Sequence, residues 1–253
     1  MEYLLLLMSF VVGVLIGLTS MGGAALMTPV LILFAGVRPA IAVGTDLAYC
    51  AITKLAGAWM HWRQDTVDLR MARRLAYGSL PGGLLGVVAV TQLHSYGFDT
   101  DLFLRRAIGF VLLIVALLII LQSSRGGLIK PVGLEAARLA GWSAVVWGAV
   151  VGFSVGLTSV GSGSLIAPFL MMVYPRSPAR VVGTDVFHAA ILVTATAMVH
   201  STFGNIDWHL ASLLLLGSIP GVLLGSYLAP RIPERRLRMG LALLLLASGA
   251  KLI

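Results

Sequence analysis

Asp46, Lys54, Asp185 and His188 are ionisable side chains that stand inside apolar stretches of this 253-residue chain. Charge at such depth in an apolar segment is costly, so each is a functional candidate by default. Asp46, Cys50 and Lys54 follow one another at four-residue spacing, so on a helix they share one face. Asp46 and Asp185 each close a Gly-Thr-Asp triplet, Gly44-Thr45-Asp46 and Gly183-Thr184-Asp185. Acids so placed can exchange a proton or hold a cation, and with His188 they form a candidate coupling set. The plain alternative is an acid that hydrogen-bonds a neighbouring helix end, and a buried neutral imidazole with its hydrogen bond satisfied.

A second set of residues suits an anion. Gly17-Leu18-Thr19-Ser20-Met21-Gly22-Gly23 recurs as Gly156-Leu157-Thr158-Ser159-Val160-Gly161-Ser162, followed by Gly163. Such a turn would join two half-helices. The second half-helix points free N–H groups and the positive end of its dipole at the turn, glycines admit a ligand to the backbone, and hydroxyls add donors. The expected binding set is Thr19, Ser20, Gly22, Gly23, Lys54, Thr158, Ser159, Gly161, Ser162 and Gly163, suited to a dehydrated oxyanion. The competing explanation is close helix packing through small residues. A hydrolase built on Ser162 is excluded, since its counterpart is Gly23 and no third group is placed to orient a base.

The elements that would position these residues come in two copies. A shift of 139 residues aligns the halves without a gap, with 29 identities over the 70 pairs from Gly17/Gly156 to Gly86/Gly225. The match includes His61/His200, Asp68/Asp207 and Gly78-Ser79-Leu80-Pro81-Gly82 against Gly217-Ser218-Ile219-Pro220-Gly221. The expected units are 1–122, a linker at 123–138, and 139–253. His61 and His200 are expected as anchors at segment ends, and Pro81 and Pro220 as kinks or hinges. Trp59, Trp62, Trp142, Trp147 and Trp208 are expected in the aromatic belts.

Hydrophobic residues make up 58% of the chain and charged residues 11%, with mean hydropathy +0.97. A soluble domain carries about 25% charged residues. Eight apolar segments can be marked, at about 3–36, 40–62, 75–93, 103–122, 139–174, 178–203, 209–229 and 235–252. The fold class is therefore an all-α polytopic membrane protein, since a bilayer leaves no partner for unpaired backbone. Net charge is +8, but the arginines lie in short loops without a basic run, which excludes nucleic acid as a partner. Cys50 is the single cysteine, so no intrachain disulfide and no cysteine-based metal site is expected, nor any cofactor. The first apolar run lacks a positive n-region and reads as part of the protein rather than a cleaved signal.

The first and fifth segments are too long for one crossing of a core about 30 Å thick and too short for two. Lysine and arginine counts separate two topologies, because cytoplasmic loops are enriched in them. Eight simple crossings divide them 8 against 9, no bias at all. If segments 1 and 5 are re-entrant hairpins, one side holds 13 and the other 4, with Lys54 in the membrane. The two halves then run in opposite orientations. A pair of glycine-interrupted segments at matching places in inverted repeats marks a transport site near the bilayer midplane.

The duplicated Gly-Leu-Thr-Ser-x-Gly-x-x-x-Leu…Pro, the Gly-Thr-Asp triplets, His200…Asn205-Ile206-Asp207-Trp208 and Gly217-Ser218-Ile219-Pro220-Gly221-x-Leu223-Leu224-Gly225 together resemble the TauE/SafE sulfite exporter family over essentially the whole chain. The resemblance implies a multi-pass transporter of a bacterial inner membrane. It would be a secondary transporter, an exporter, of small sulfur-containing anions such as sulfite or organosulfonates. Its partners are then the anion and the lipid bilayer, with a homo-oligomer left open. Two rivals remain: a cation- or proton-coupled transporter of another small solute using Asp46 and Asp185, and a non-transporting membrane assembly factor.

Overall fold

The computed structural model describes residues 2–19, 24–95, 99–124, 134–173, 177–228 and 234–253. These are helical nearly throughout, and no strand occurs among them. The helices are α1 (Glu2–Thr19), α2 (Ala24–Leu33), α3 (Pro39–Arg63), α4 (Leu69–Ser95), α5 (Thr100–Ser124), α6 (Leu134–Thr158), α7 (Ile166–Val173), α8 (Pro178–Thr202), α9 (Trp208–Leu228) and α10 (Glu234–Leu252). Stretches within α4, α5, α6, α8 and α9 are long and apolar enough to cross a bilayer. The protein is an all-helical, multi-pass membrane protein. α3 is as long as α8, at 25 residues, and carries Asp46 and Lys54 in its interior.

Two helices begin well before the apolar segments that mark them. α4 starts at Leu69 rather than near 75, and α6 starts at Leu134, inside the stretch expected as linker. Hydropathy reports the edge of the apolar run, whereas a helix continues past it wherever charged side chains meet water or headgroups. Both α4 and α9 run through their internal prolines, Pro81 and Pro220.

Glycines at four-residue spacing bring particular helices together. Gly78, Gly82 and Gly86 on α4 face α6, which offers Gly148, Gly152 and Gly156. A Cβ at Gly152 would stand 2.1 Å from the Ser79 carbonyl oxygen, so only glycine allows this backbone contact. Removing side chains from a helix seam lets backbones approach closely, and in lipid such packing replaces the hydrophobic effect as the source of association. α1 and α9 meet the same way: Gly217, Gly221 and Gly225 lie against Leu6, Phe10 and Val14. Positions advance together on both helices of each pair, so the partners are parallel.

α3 and α8 instead pass in opposite directions. Gly44 near the start of α3 meets Asn205 beyond the end of α8, while Trp62 at the end of α3 rings against Phe187 near the start of α8 at 5.4 Å. The contacts at the two ends of this pair fall on equivalent positions of the halves. Asp68 N–H donates to Thr184 Oγ1 at 2.9 Å, and Asp207 N–H donates to Thr45 Oγ1 at 3.0 Å. Gly44 faces the Asn205 carbonyl and Gly183 faces the Thr66 carbonyl. Both aspartates also cap the following helix, Asp68 Oδ1 accepting from Arg70 and Met71 N–H and Asp207 Oδ1 from Leu210 N–H. The Gly-Thr-Asp triplet thus works as a unit: glycine admits the loop, threonine binds its backbone, and the acid looks inward.

Candidate functional site

The polar centre begins where α6 ends. Residues 159–165 form turns between α6 and α7, with Ser159 at φ 64° and Gly161 at φ 120°. Much of the turn bonds to itself. Thr158 Oγ1 donates to Ser154 O and accepts from Val160 N–H, and Ser154 Oγ donates to Val160 O. Leu165 and Ala167 N–H donate to the Gly161 and Gly163 carbonyls. Trp147 Nε1 donates to Leu165 O and its ring stacks on Phe169, so this tryptophan braces the turn from inside rather than joining the belt. It stands one residue before Gly148 of the glycine row of α6.

Ser159 leaves this turn and binds across to the other half. Its hydroxyl donates to Asp46 Oδ2, which also receives Thr28 Oγ1 at 2.6 Å. The two hydroxyls are themselves 3.1 Å apart. Cys50 Sγ donates to the other oxygen, Asp46 Oδ1, at 3.6 Å. Asp46, Thr28 and Ser159 are fully buried. A carboxylate taken out of water needs donors, and here three are supplied, one each from α2, α3 and the α6–α7 turn. Asp46 therefore ties the two halves together at the centre.

Asp185 has no such shell. The counterparts of Thr28 and Cys50 are Ala167 and Ala189, which carry no donor. Among the described residues Asp185 Oδ1 has no hydrogen-bond partner, although the residue is buried. His188, one turn further along α8, binds Ser79 Oγ of α4 through Nε2 at 2.7 Å, while its Nδ1 lacks a partner among the described residues. Its counterpart Tyr49 lines one cavity together with Ser218, the counterpart of Ser79. Lys54 reaches across to the turn of the other half, where its Nζ donates to Ser162 Oγ at 3.1 Å. Lys54 thus faces the other half's turn rather than pairing with Asp46 along its own helix.

Of the residues expected to bind a ligand, Lys54, Ser159 and Ser162 come together around this centre. Gly161 makes the left-handed bend, and the Thr158 hydroxyl is engaged within the turn. Ser20, Gly22 and Gly23 lie outside the described residues, and Thr19 is described only as the last residue of α1. His61 sits at a helix end and binds Thr66 Oγ1 at 2.9 Å. His200 is different from the expected anchor: it is fully buried and binds the Gly156 carbonyl at 3.0 Å, a helix-end acceptor left over where α6 stops. Thr28 and Ser79 are the polar partners that reading by type and spacing passes over. Thr28 was hidden because its counterpart is Ala167, whereas Ser79 lies in a matched motif whose proline drew attention first. Among the described residues no group of three or more His, Cys, Asp or Glu side chains gathers to hold a metal.

Comparison with known proteins agrees with this architecture. Residues 5–252 match the family described as "Sulfite exporter TauE/SafE". The chain is 43% identical over 255 residues, covering 100% of both chains, to "Probable membrane transporter protein YjnA" of Bacillus subtilis (strain 168). It is 25% identical to "Probable membrane transporter protein YunE" of the same organism, covering 97% of this chain and 98% of the relative. To "Probable membrane transporter protein YdhB", also of Bacillus subtilis (strain 168), it is 25% identical, with 99% of each covered. No solved structure matches the chain.

Proposed function

From the premise that this chain belongs to the TauE/SafE sulfite exporter family, a family of membrane transporters, we propose that it is a secondary exporter of small sulfur-containing anions such as sulfite or organosulfonates. The observation that carries this reading is the Lys54–Ser162 hydrogen bond at 3.1 Å, which sets a cation against a hydroxyl turn of the other half. An oxyanion displacing that bond meets an ammonium group and hydroxyl donors in a site shielded from water, which offsets its loss of hydration.

The acids divide the remaining work. Asp46 is held by three donors and serves as the fixed point between the halves. Asp185, with an oxygen free of partners among the described residues, is the exchangeable acid that couples transport to a proton or cation, with His188 beside it. The halves form inverted repeats whose hairpin segments, α1–α2 and α6–α7, return to the side they entered. The parallel course of α1 with α9 and of α4 with α6, with α3 against α8, supports this arrangement. The side carrying 13 of the lysines and arginines is then cytoplasmic, in the inner membrane of a bacterium.

The test is flux into liposomes holding the purified protein, screened over sulfite, sulfate, thiosulfate, sulfoacetate and taurine. Movement of at least one of these anions, abolished by Lys54→Met, is expected. Cation flux without anion flux would replace the reading by a cation transporter. Absence of any flux together with co-purifying partners would replace it by an assembly factor.

A further inference from the structure

Beside the Lys54–Ser162 contact lies a half-open cavity of about 400 Å3, bounded by α1, α3, α8 and α9. Its polar lining is Tyr49, Thr53, Lys54 and Ser218, and the remainder is aliphatic, with Ile16 and Leu215 inside. Ile52, Ile219 and Leu223 line it too and are exposed, which places the mouth between α3 and α9. The space is far larger than sulfite requires: at about 30 Å3 per water it would hold on the order of a dozen. It falls in the range of about 300–1,000 Å3 typical of pockets for organic ligands, which are likewise mostly apolar with a few placed polar groups.

In the other half, side chains fill the places equivalent to two of the residues that line this cavity. Thr53 and Gly57 on α3 correspond to Leu192 and Thr196 on α8. Leu192 and Thr196 are fully buried and press on Gly83 of α4, where an added Cβ would meet Thr196 Cγ2 at 2.8 Å and Leu192 Cδ1 at 3.0 Å. At Gly57 an added Cβ would meet only Val186 Cγ1, at 3.2 Å. Lys54 corresponds to Val193, so the half that opens the space is also the half that supplies the cation. A seam closed by side chains on one side has become, on the other, a chamber with a charge at its inner end.

We infer that this chamber holds the aliphatic body of the transported anion while Lys54 holds its anionic head, which makes short-chain alkanesulfonates better ligands than sulfite. The inference rests on the anion reading above and narrows its substrate class. Charge complementarity selects the occupant: a neutral chain gains nothing from Lys54, and a cation is repelled by it.

The experiment is isothermal titration of the purified full-length protein with sulfite, methanesulfonate, butanesulfonate, hexanesulfonate and hexanol. Affinity should rise by up to about fourfold per added methylene until the chamber is full, with hexanol far weaker than hexanesulfonate. The double variant Thr53→Leu/Gly57→Thr, which copies the filled half, should lose the chain-length gain and keep the sulfite affinity. Should that variant not fold, Ile219→Trp fills the chamber from its mouth and must give the same result. Binding of sulfite with no chain-length dependence overturns the inference and leaves the anion reading intact. Equal binding of hexanol and hexanesulfonate also overturns it, by making the chamber a lipid crevice. Failure of every anion to bind overturns the anion reading itself.

Discussion

Replacing Thr28 by valine removes one hydroxyl from the centre while keeping the shape of the side chain. The residue is fully buried, and its Oγ1 donates to Asp46 Oδ2 at 2.6 Å beside Ser159 Oγ at 3.1 Å. Valine leaves Asp46 Oδ2 with Ser159 alone, at a position buried from solvent. A hydrogen bond to a charged group contributes about 1.5–3 kcal/mol. For a chain of this size each kcal/mol moves the melting midpoint by about 2–4 °C, so Thr28→Val should melt about 3–12 °C lower. The assay is thermal unfolding of the purified protein in a mild detergent, followed by tryptophan fluorescence. A double-mutant cycle with Asp46→Asn isolates the pair, and a coupling of about 1 kcal/mol or more is expected, because the two residues share one bond. Additive effects, or a midpoint equal to that of the unaltered protein, would refute the placing of Thr28 as a donor that holds the buried Asp46.

Three further outcomes follow from the same geometry. Lys54→Met should weaken anion affinity about ten- to hundredfold by titration, the loss of one charge-assisted contact, with folding near normal because the side chain is only partly buried. Gly152→Val should abolish the folded, monodisperse protein in size-exclusion chromatography, since its Cβ would lie 2.1 Å from a backbone oxygen of α4, whereas Gly240→Ala, with nothing within 4 Å, should elute unchanged. In a Cys50→Ala background, single cysteines at Gln64 and Ser177 should be protected from an impermeant thiol reagent added outside cells, and one at Phe203 should be labelled; labelling at Ser177 with protection at Gln64 and Phe203 would exclude the hairpin topology.

Sequence patterning made the helical membrane class plain, because few charged residues fall inside the long apolar runs. It also singled out Asp46, Lys54, Ser159 and Ser162, since charged or hydroxyl residues inside apolar runs are few enough to notice. Their wiring was not legible. Helix period places Cys50 and Lys54 on the face of Asp46, yet Lys54 bonds to Ser162, 108 residues away. Periodicity describes neighbours along one helix and is silent on which helix comes alongside. Thr28 shows a second limit: comparison of the halves highlights what is shared, and Thr28 matters because Ala167 does not share it. The glycine rows at 78, 82 and 86 and at 148, 152 and 156 were visible as spacing, but which row meets which depends on how the chain returns through the bilayer.

The pairing of α1 with α9 and of α4 with α6 bears on how the protein is made. Each closely packed couple takes one helix from each half, so neither half carries its own mate. During synthesis α1 is inserted long before α9 exists, with roughly 190 residues between Thr19 and Trp208. At about 5–20 residues per second, α1 stands in the bilayer for roughly ten to forty seconds with the face that α9 will cover still bare. In that interval the glycine face of α4 waits too, until α6 arrives after the linker. A ribosome that stalls midway therefore leaves an assembly of unmated helices rather than a working half, and expression of residues 1–122 alone should yield a product cleared by membrane proteolysis.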